Sequence, residues 1–120
     1  MPTQNFFYRK DGLLKKIDLG DIVFIEAANN YSKFLTPDGF IMVRVTLDAA
    51  LNLLPEYKFV RIHRSFAVSV DHIDVVGRES VKLLTDPKLE IPVSKKYYAE
   101  IIEKIVILES GSTDSADQQS

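Results

Sequence analysis

Between Phe59 and Val70 the chain reads FVRIHRSFAVSV, an apolar alternation that holds on both sides of a single interruption. Val60, Ile62, Phe66, Val68 and Val70 are spaced by two or multiples of two, as one face of a strand requires. Carried through unbroken, that face puts Arg64 in the core. A buried guanidinium without an acidic partner is strongly destabilising, because the interior returns too little for its lost hydration. The pattern therefore predicts a break at His63-Arg64-Ser65 that turns Arg64 out to solvent. Three side chains able to bind anions or hydrogen-bond base edges then stand together at the end of a β-element.

A chain of 120 residues, 46% hydrophobic and 27% charged, has room for one domain with a real core and not for two ordinary ones. No apolar run approaches the roughly 20 residues that cross a bilayer, and the start lacks a signal-peptide pattern. No membrane association is expected, and a cytoplasmic protein is. The absence of cysteine removes disulfides and thiolate metal sites. With only His63 and His72, no metal centre and no cofactor are expected.

Net charge is −2, from 15 basic and 17 acidic residues. The last twelve residues, ESGSTDSADQQS, hold Glu109, Asp114 and Asp117 and no base, so the rest balances at 15 against 14, or +1. Nucleic-acid binding therefore demands a local patch, not a basic domain.

Residues 1–108 read as the folded domain and 109–120 as a disordered acidic and polar tail. Most of the domain reads as short strands between turn signals. Phe6 to Arg9 and Leu13 to Leu19 flank Asp11-Gly12, a hairpin turn. Ile22 to Ala27 is strongly apolar and runs into Asn29-Asn30. Lys33 to Leu35 and Phe40 to Val45 flank Pro37-Asp38-Gly39. Further strands are predicted at Phe59 to Ile62, Phe66 to Val70, Ile73 to Val76, Val81 to Leu84 and Leu89 to Pro92. Leu47, Ala50, Leu51 and Leu54 show helical spacing behind Thr46 as N-cap, with Pro55 as the stop. Tyr98, Ile101, Ile102 and Ile105 repeat it behind Ser94. The fold class is mostly β, with one short helix and a C-terminal helix. It lacks the consecutive helices of a helix-turn-helix reader.

Three polar clusters interrupt this framework. The terminal helix opens Ser94-Lys95-Lys96, the wrong charge for the positive end of a helix dipole. A phosphate arriving there meets free N–H groups, a hydroxyl and two ammonium groups. The plain alternative is a pair of solvated lysines. Arg64 either bridges to a distant carboxylate such as Glu26 or Asp71, or is presented to guanine, whose O6 and N7 match its fork. His63, between apolar neighbours, reads as a structural histidine or a phosphate donor, and Ser65 as a brace of the break or a phosphate contact. Asn29-Asn30-Tyr31-Ser32 is an ordinary turn, or an amide that reads adenine beside a tyrosine that touches the backbone.

His63 and Ser65 also mimic a nucleophile and its base. No oxyanion loop, Gly-x-Ser-x-Gly, phosphate-binding glycine loop or metal motif accompanies them. An enzyme is not expected.

The run Phe59-Val60-Arg61-Ile62-His63-Arg64-Ser65-Phe66 stands with Asp21-Ile22-Val23-Phe24-Ile25-Glu26-Ala27 upstream and Ile91-Pro92-Val93-Ser94-Lys95-Lys96-Tyr97 downstream. Together they resemble the LytTR DNA-binding domain, over roughly residues 5 to 108. The resemblance implies an elongated arrangement of short antiparallel sheets that reads double-stranded DNA in the major groove with loops. It implies the output domain of a bacterial response regulator in a two-component system, acting on promoter DNA with repeated half-sites, as a possible homodimer. A phosphorylatable receiver, missing from this chain, is the implied companion domain. Carried onto this sequence, the base-contacting residues are Asn30, Tyr31 or Ser32, then Arg64, then Lys95. The implied backbone contacts are Lys33, Arg61, His63, Ser65, Ser94, Lys96 and Tyr98. Lys95 stands where many relatives have arginine, and an ammonium cannot reproduce the planar fork. The competing class is a β-rich interaction or dimerisation module that binds no DNA.

Overall fold

The structure, a computed structural model, describes residues 5–110, so the tail assigned to 109–120 lies outside it from residue 111 onward. The predicted alternations become three antiparallel sheets. β1 (Phe6–Lys10) and β2 (Leu13–Ile17) pair only with each other. Their turn has φ of 52° at Asp11 and 79° at Gly12, positive at both central residues, which matches the twist of a hairpin. β3 (Phe24–Ala28), β4 (Tyr31–Thr36), β5 (Gly39–Val43), β6 (Phe59–His63) and β7 (Phe66–Ser69) form a sheet ordered β5-β4-β3-β7-β6. β8 (Ile73–Val76), β9 (Ser80–Leu83) and β10 (Glu90–Pro92) form the third, ordered β10-β9-β8.

Both helices start where the sequence puts their caps. α1 (Leu47–Leu53) begins at Thr46, whose hydroxyl accepts the Ala49 N–H at 3.2 Å. α2 (Lys95–Lys104) begins at Ser94, whose hydroxyl accepts the Tyr97 N–H at 3.4 Å. Several strand ends are shorter than expected: Ile22, Val23, Arg44, Val45, Leu84 and Leu89 lie just outside their strands. Leu19 and Val70, predicted as strand residues, belong to short 3-10 turns at Leu19–Asp21 and Val70–His72. In the first, the Asp18 carboxylate accepts the Gly20 N–H at 2.9 Å and folds the chain away from its strand path.

Strands β3, β6 and β7 are covered on both faces, more fully than a simple alternation implies, while β5 leaves Phe40 and Met42 exposed. On one face Phe24, Val60, Ile62 and Val68 pack against Val81, Leu83 and Ile91 of the third sheet, Val93 just beyond it and Ile101 of α2. Phe66 and Val70 join this core, so the predicted face is the observed one. On the other face Ile22, Ile25, Phe34, Phe59 and Ala67 pack against Leu47 and Ala50 of α1. Among the described residues no helix is long and apolar enough to cross a membrane.

At the far end of the sheet from Arg64, Lys58 donates to Asp71 at 2.9 Å. That hydrogen bond, helped by Coulomb attraction to the same carboxylate, raises the Lys58 ammonium above its ordinary value.

Ile62 is fully buried at the contact between central sheet and α2 layer. Ile62→Ala should lower stability by about 2–5 kcal/mol through lost transfer energy and a residual cavity. Urea denaturation reads this as a lower midpoint, and an unmoved midpoint would remove Ile62 from the core.

Candidate nucleic-acid interface

Antiparallel pairing collects the polar clusters at one end of the central sheet. Ala28 opposes Tyr31 across the β3–β4 turn, and His63 opposes Phe66 across the β6–β7 turn. β3 lies beside β7, with Glu26 opposite Phe66, so both turns leave the same edge of the structure. The Ala27 N–H donates to the Ser65 carbonyl at 2.8 Å and ties one turn to the other. The Ser94 N–H donates to the Ile62 carbonyl at 2.9 Å and brings the start of α2 to the same place.

The interruption in the Phe59–Val70 alternation takes a definite form. β6 slips by one residue between Arg61 and His63, and a two-residue turn, Arg64-Ser65, joins it to β7. The slip is a bulge, a device that bends a strand and re-aims the side chains beyond it. Arg64 is exposed, and among the described residues its guanidinium has no ion-pair or hydrogen-bond partner. Of the carboxylates weighed as its partners, Asp71 pairs with Lys58, and Glu26 lies in register opposite Lys33 without bridging to Arg64.

His63 braces this turn. Its Nδ1 accepts the Ser65 backbone N–H at 3.1 Å, and its ring meets Phe66 edge-on at 5.7 Å. Nδ1 as acceptor places the proton of a neutral imidazole on Nε2, leaving a donor for an incoming acceptor. The histidine thus engages the Ser65 main chain, which is not the geometry of a base acting on the serine hydroxyl.

The Asn29–Ser32 cluster is shorter as a loop than its sequence suggests. β4 begins at Tyr31, and only Asn29 and Asn30 form the turn. Asn29 has φ 60°, a left-handed conformation that asparagine adopts at less cost than other side chains except glycine. Asn30 and Tyr31 are exposed. Ser32 is corrected: it is fully buried, and its hydroxyl donates to the Val45 carbonyl at 2.7 Å. The alternation of β4 turns Ser32, Phe34 and Thr36 inward, which withdraws Ser32 from any base contact.

At the third segment Lys95 and Lys96 are exposed on the first turn of α2. The Lys96 ammonium lies 5.2 Å from the centroid of the Tyr97 ring. Tyr98 packs its ring on the core and is covered by Arg78 at 5.0 Å. Lys33 lies 5.6 Å from the Phe40 ring. Arg61 needs a second correction. Its Nε donates to the His63 carbonyl at 3.2 Å, and its two terminal nitrogens go to the Arg64 carbonyl and the Asp48 carboxylate. A guanidinium committed to three protein acceptors is not a free phosphate contact.

Sequence reasoning passed over Arg44, Arg78 and Tyr97. Arg44 is exposed just beyond β5, whose last residue, Val43, opposes Ser32 near the β3–β4 turn. Arg78 is exposed in the β8–β9 turn, which the Val93 N–H reaches through the Glu79 carbonyl at 2.9 Å. The signal is a basic residue close to each chain junction on this side of the sheets. Only the strand order shows that those junctions share an end.

The LytTr DNA-binding domain family matches this chain over residues 13–106. The chain belongs to that family and is a DNA-binding domain. Its fold is shared with a solved LytTr DNA-binding domain from Bacillus cereus, which superposes with a TM-score of 0.70 at 18% identity, over 86% of this chain and 97% of the other. The sensory transduction protein LytT of Bacillus subtilis (strain 168) is 28% identical over 88 residues, 71% of this chain and 36% of that protein. The chain thus spans little more than a third of the length of this curated relative.

Ser32→Ala leaves the buried Val45 carbonyl without its donor, an expected loss of about 1–3 kcal/mol. Denaturation measures that loss, and duplex selection by the variant should recover the wild-type site. An altered base preference would return Ser32 to the reading surface.

Proposed function

We propose that this domain binds double-stranded promoter DNA sequence-specifically, with the β3–β4 turn, the β6–β7 turn and the start of α2 along one major groove. The observation that carries this reading is the pair of main-chain hydrogen bonds, Ala27 to Ser65 and Ser94 to Ile62, which joins all three segments at one end. Arg64 reads guanine through a bidentate fork, and Asn30 reads adenine through its amide. Tyr31 and Lys95 complete the base contacts, Lys95 as a point charge on a guanine acceptor or a neighbouring phosphate. Lys33, His63, Ser65, Ser94, Lys96 and Tyr98 hold the phosphates, joined by Arg44 and Arg78 at the flanks.

In this reading the domain is the non-catalytic output module of a bacterial, cytoplasmic transcription regulator. It occupies repeated half-sites in pairs, and a receiver domain supplies its control. The length of the Bacillus subtilis relative, beyond the portion matched here, is what supports a companion domain.

Arg64→Ala should weaken the cognate complex by about 1–3 kcal/mol and relax preference at one base pair. Selection of bound sites from random duplexes, with titration of the variant against them, checks both. Unchanged specificity would exclude Arg64 as a reader. Lys96→Ala should weaken all sequences alike and flatten the dependence of log affinity on log salt by about one unit. A mobility-shift series across salt concentrations measures that slope, and an unaltered slope would exclude a phosphate contact by Lys96.

A further inference from the structure

The hairpin that carries Arg64 is not held by its own turn. A two-residue connection between antiparallel strands ordinarily takes left-handed φ at one or both residues, so that its twist matches the strands. Neither Arg64 nor Ser65 has positive φ, and the strand before them slips in register. The Arg61 side chain supplies what the turn lacks. It donates to the carbonyls of His63 and Arg64, pairs with Asp48 of α1, and lies 5.5 Å from the centroid of the Tyr97 ring of α2. Its side chain is 22% exposed, against 79% for that of Asp48.

We propose that Arg61 is a positioning residue for DNA reading: its guanidinium clamps the main chain of the Arg64 turn to α1 and to the first turn of α2. Two of the three presenting segments are thereby fixed relative to each other before DNA arrives. The flat fork suits this role because it serves three acceptors in different directions while stacking on an aromatic ring. An ammonium, a compact charge on a flexible stem, cannot do both. The Arg64 side chain stays free while its carbonyl is held, so the reader is aimed without being occupied. Ordering the turn in the free protein lowers the entropy lost on binding.

This inference rests on the DNA-binding reading, and its test separates the two. The full chain first selects a duplex from random DNA. Wild type, Arg61→Lys and Asp48→Asn are then titrated with that duplex and with an unrelated one, across a salt series. Arg61→Lys should cut the ratio of specific to non-specific affinity by about tenfold, the scale of one misplaced bidentate contact. Its salt slope should match that of wild type. Asp48→Asn removes a negative charge facing a polyanion, so electrostatics alone would tighten binding to every duplex; the clamp instead requires a reduced specific ratio. In hydrogen exchange of the free proteins, the Ser65 amide should exchange faster in both variants. A slope lower by about one with an undiminished ratio would make Arg61 a phosphate contact. Uniformly tighter binding by Asp48→Asn, or unchanged Ser65 exchange, would also overturn the clamp. A wild-type chain that selects no duplex defeats the DNA-binding reading itself.

Discussion

Burial of the β6–β7 hairpin on both faces is the constraint on which the rest of the molecule depends. Val60, Ile62 and Val68 face the third sheet and α2, while Phe59 and Ala67 face α1. Arg61, the cation within β6, is spent on three protein acceptors, which leaves no place along the pair for a second, solvated one. Arg64 can be accommodated only where the pair turns back, and the bulge before His63 accomplishes the change of direction. The position of the exposed Arg64 turn is thus a by-product of packing.

Electrostatics acts at the same scale. The whole chain is slightly acidic, yet Lys33, Arg44, Arg64, Arg78, Lys95 and Lys96 sit at or beside the turn end. Of the acids nearby, Asp48 is paired with Arg61, Glu26 stands opposite Lys33, and Glu79 is exposed next to Arg78. Asp18, Asp38 and Asp71 belong to the opposite end. A five-residue strand spans about 17 Å, roughly twice the screening length of about 8 Å at physiological salt. A polyanion at the turn end therefore responds to the local cations and hardly to the distant carboxylates, and a net charge of −2 misleads as a guide to binding.

The fold was legible wherever one residue type decided the local geometry. Asp11-Gly12, Thr46, Ser94 and Pro55 mark turns and helix ends by backbone chemistry, and the period-two runs mark strands. Strand ends were less legible at Leu19 and Val70, because an apolar side chain serves a 3-10 turn as well as a strand. Within the candidate site, exposure was legible at the turn tips, and the loss of Ser32 and Arg61 to protein partners was not. Ser32 and Arg61 carry groups that suit DNA, but alternation turns the first inward, and three nearby acceptors claim the second. Polarity in a sequence states what a side chain can bond, and the strand order decides with what.

The main chain and the side chain at position 64 have separate duties. The carbonyl is anchored by Arg61, and the exposed guanidinium has no hydrogen-bond or ion-pair partner among the described residues. Asn30 and Lys95 are exposed in the same way, remote from either core. Substitutions at these tips leave the packed interior undisturbed, so the side chains displayed there can drift across generations without a toll on folding. A scaffold of this kind invites diversification: descendants inherit the packed platform and exchange only what its tips display.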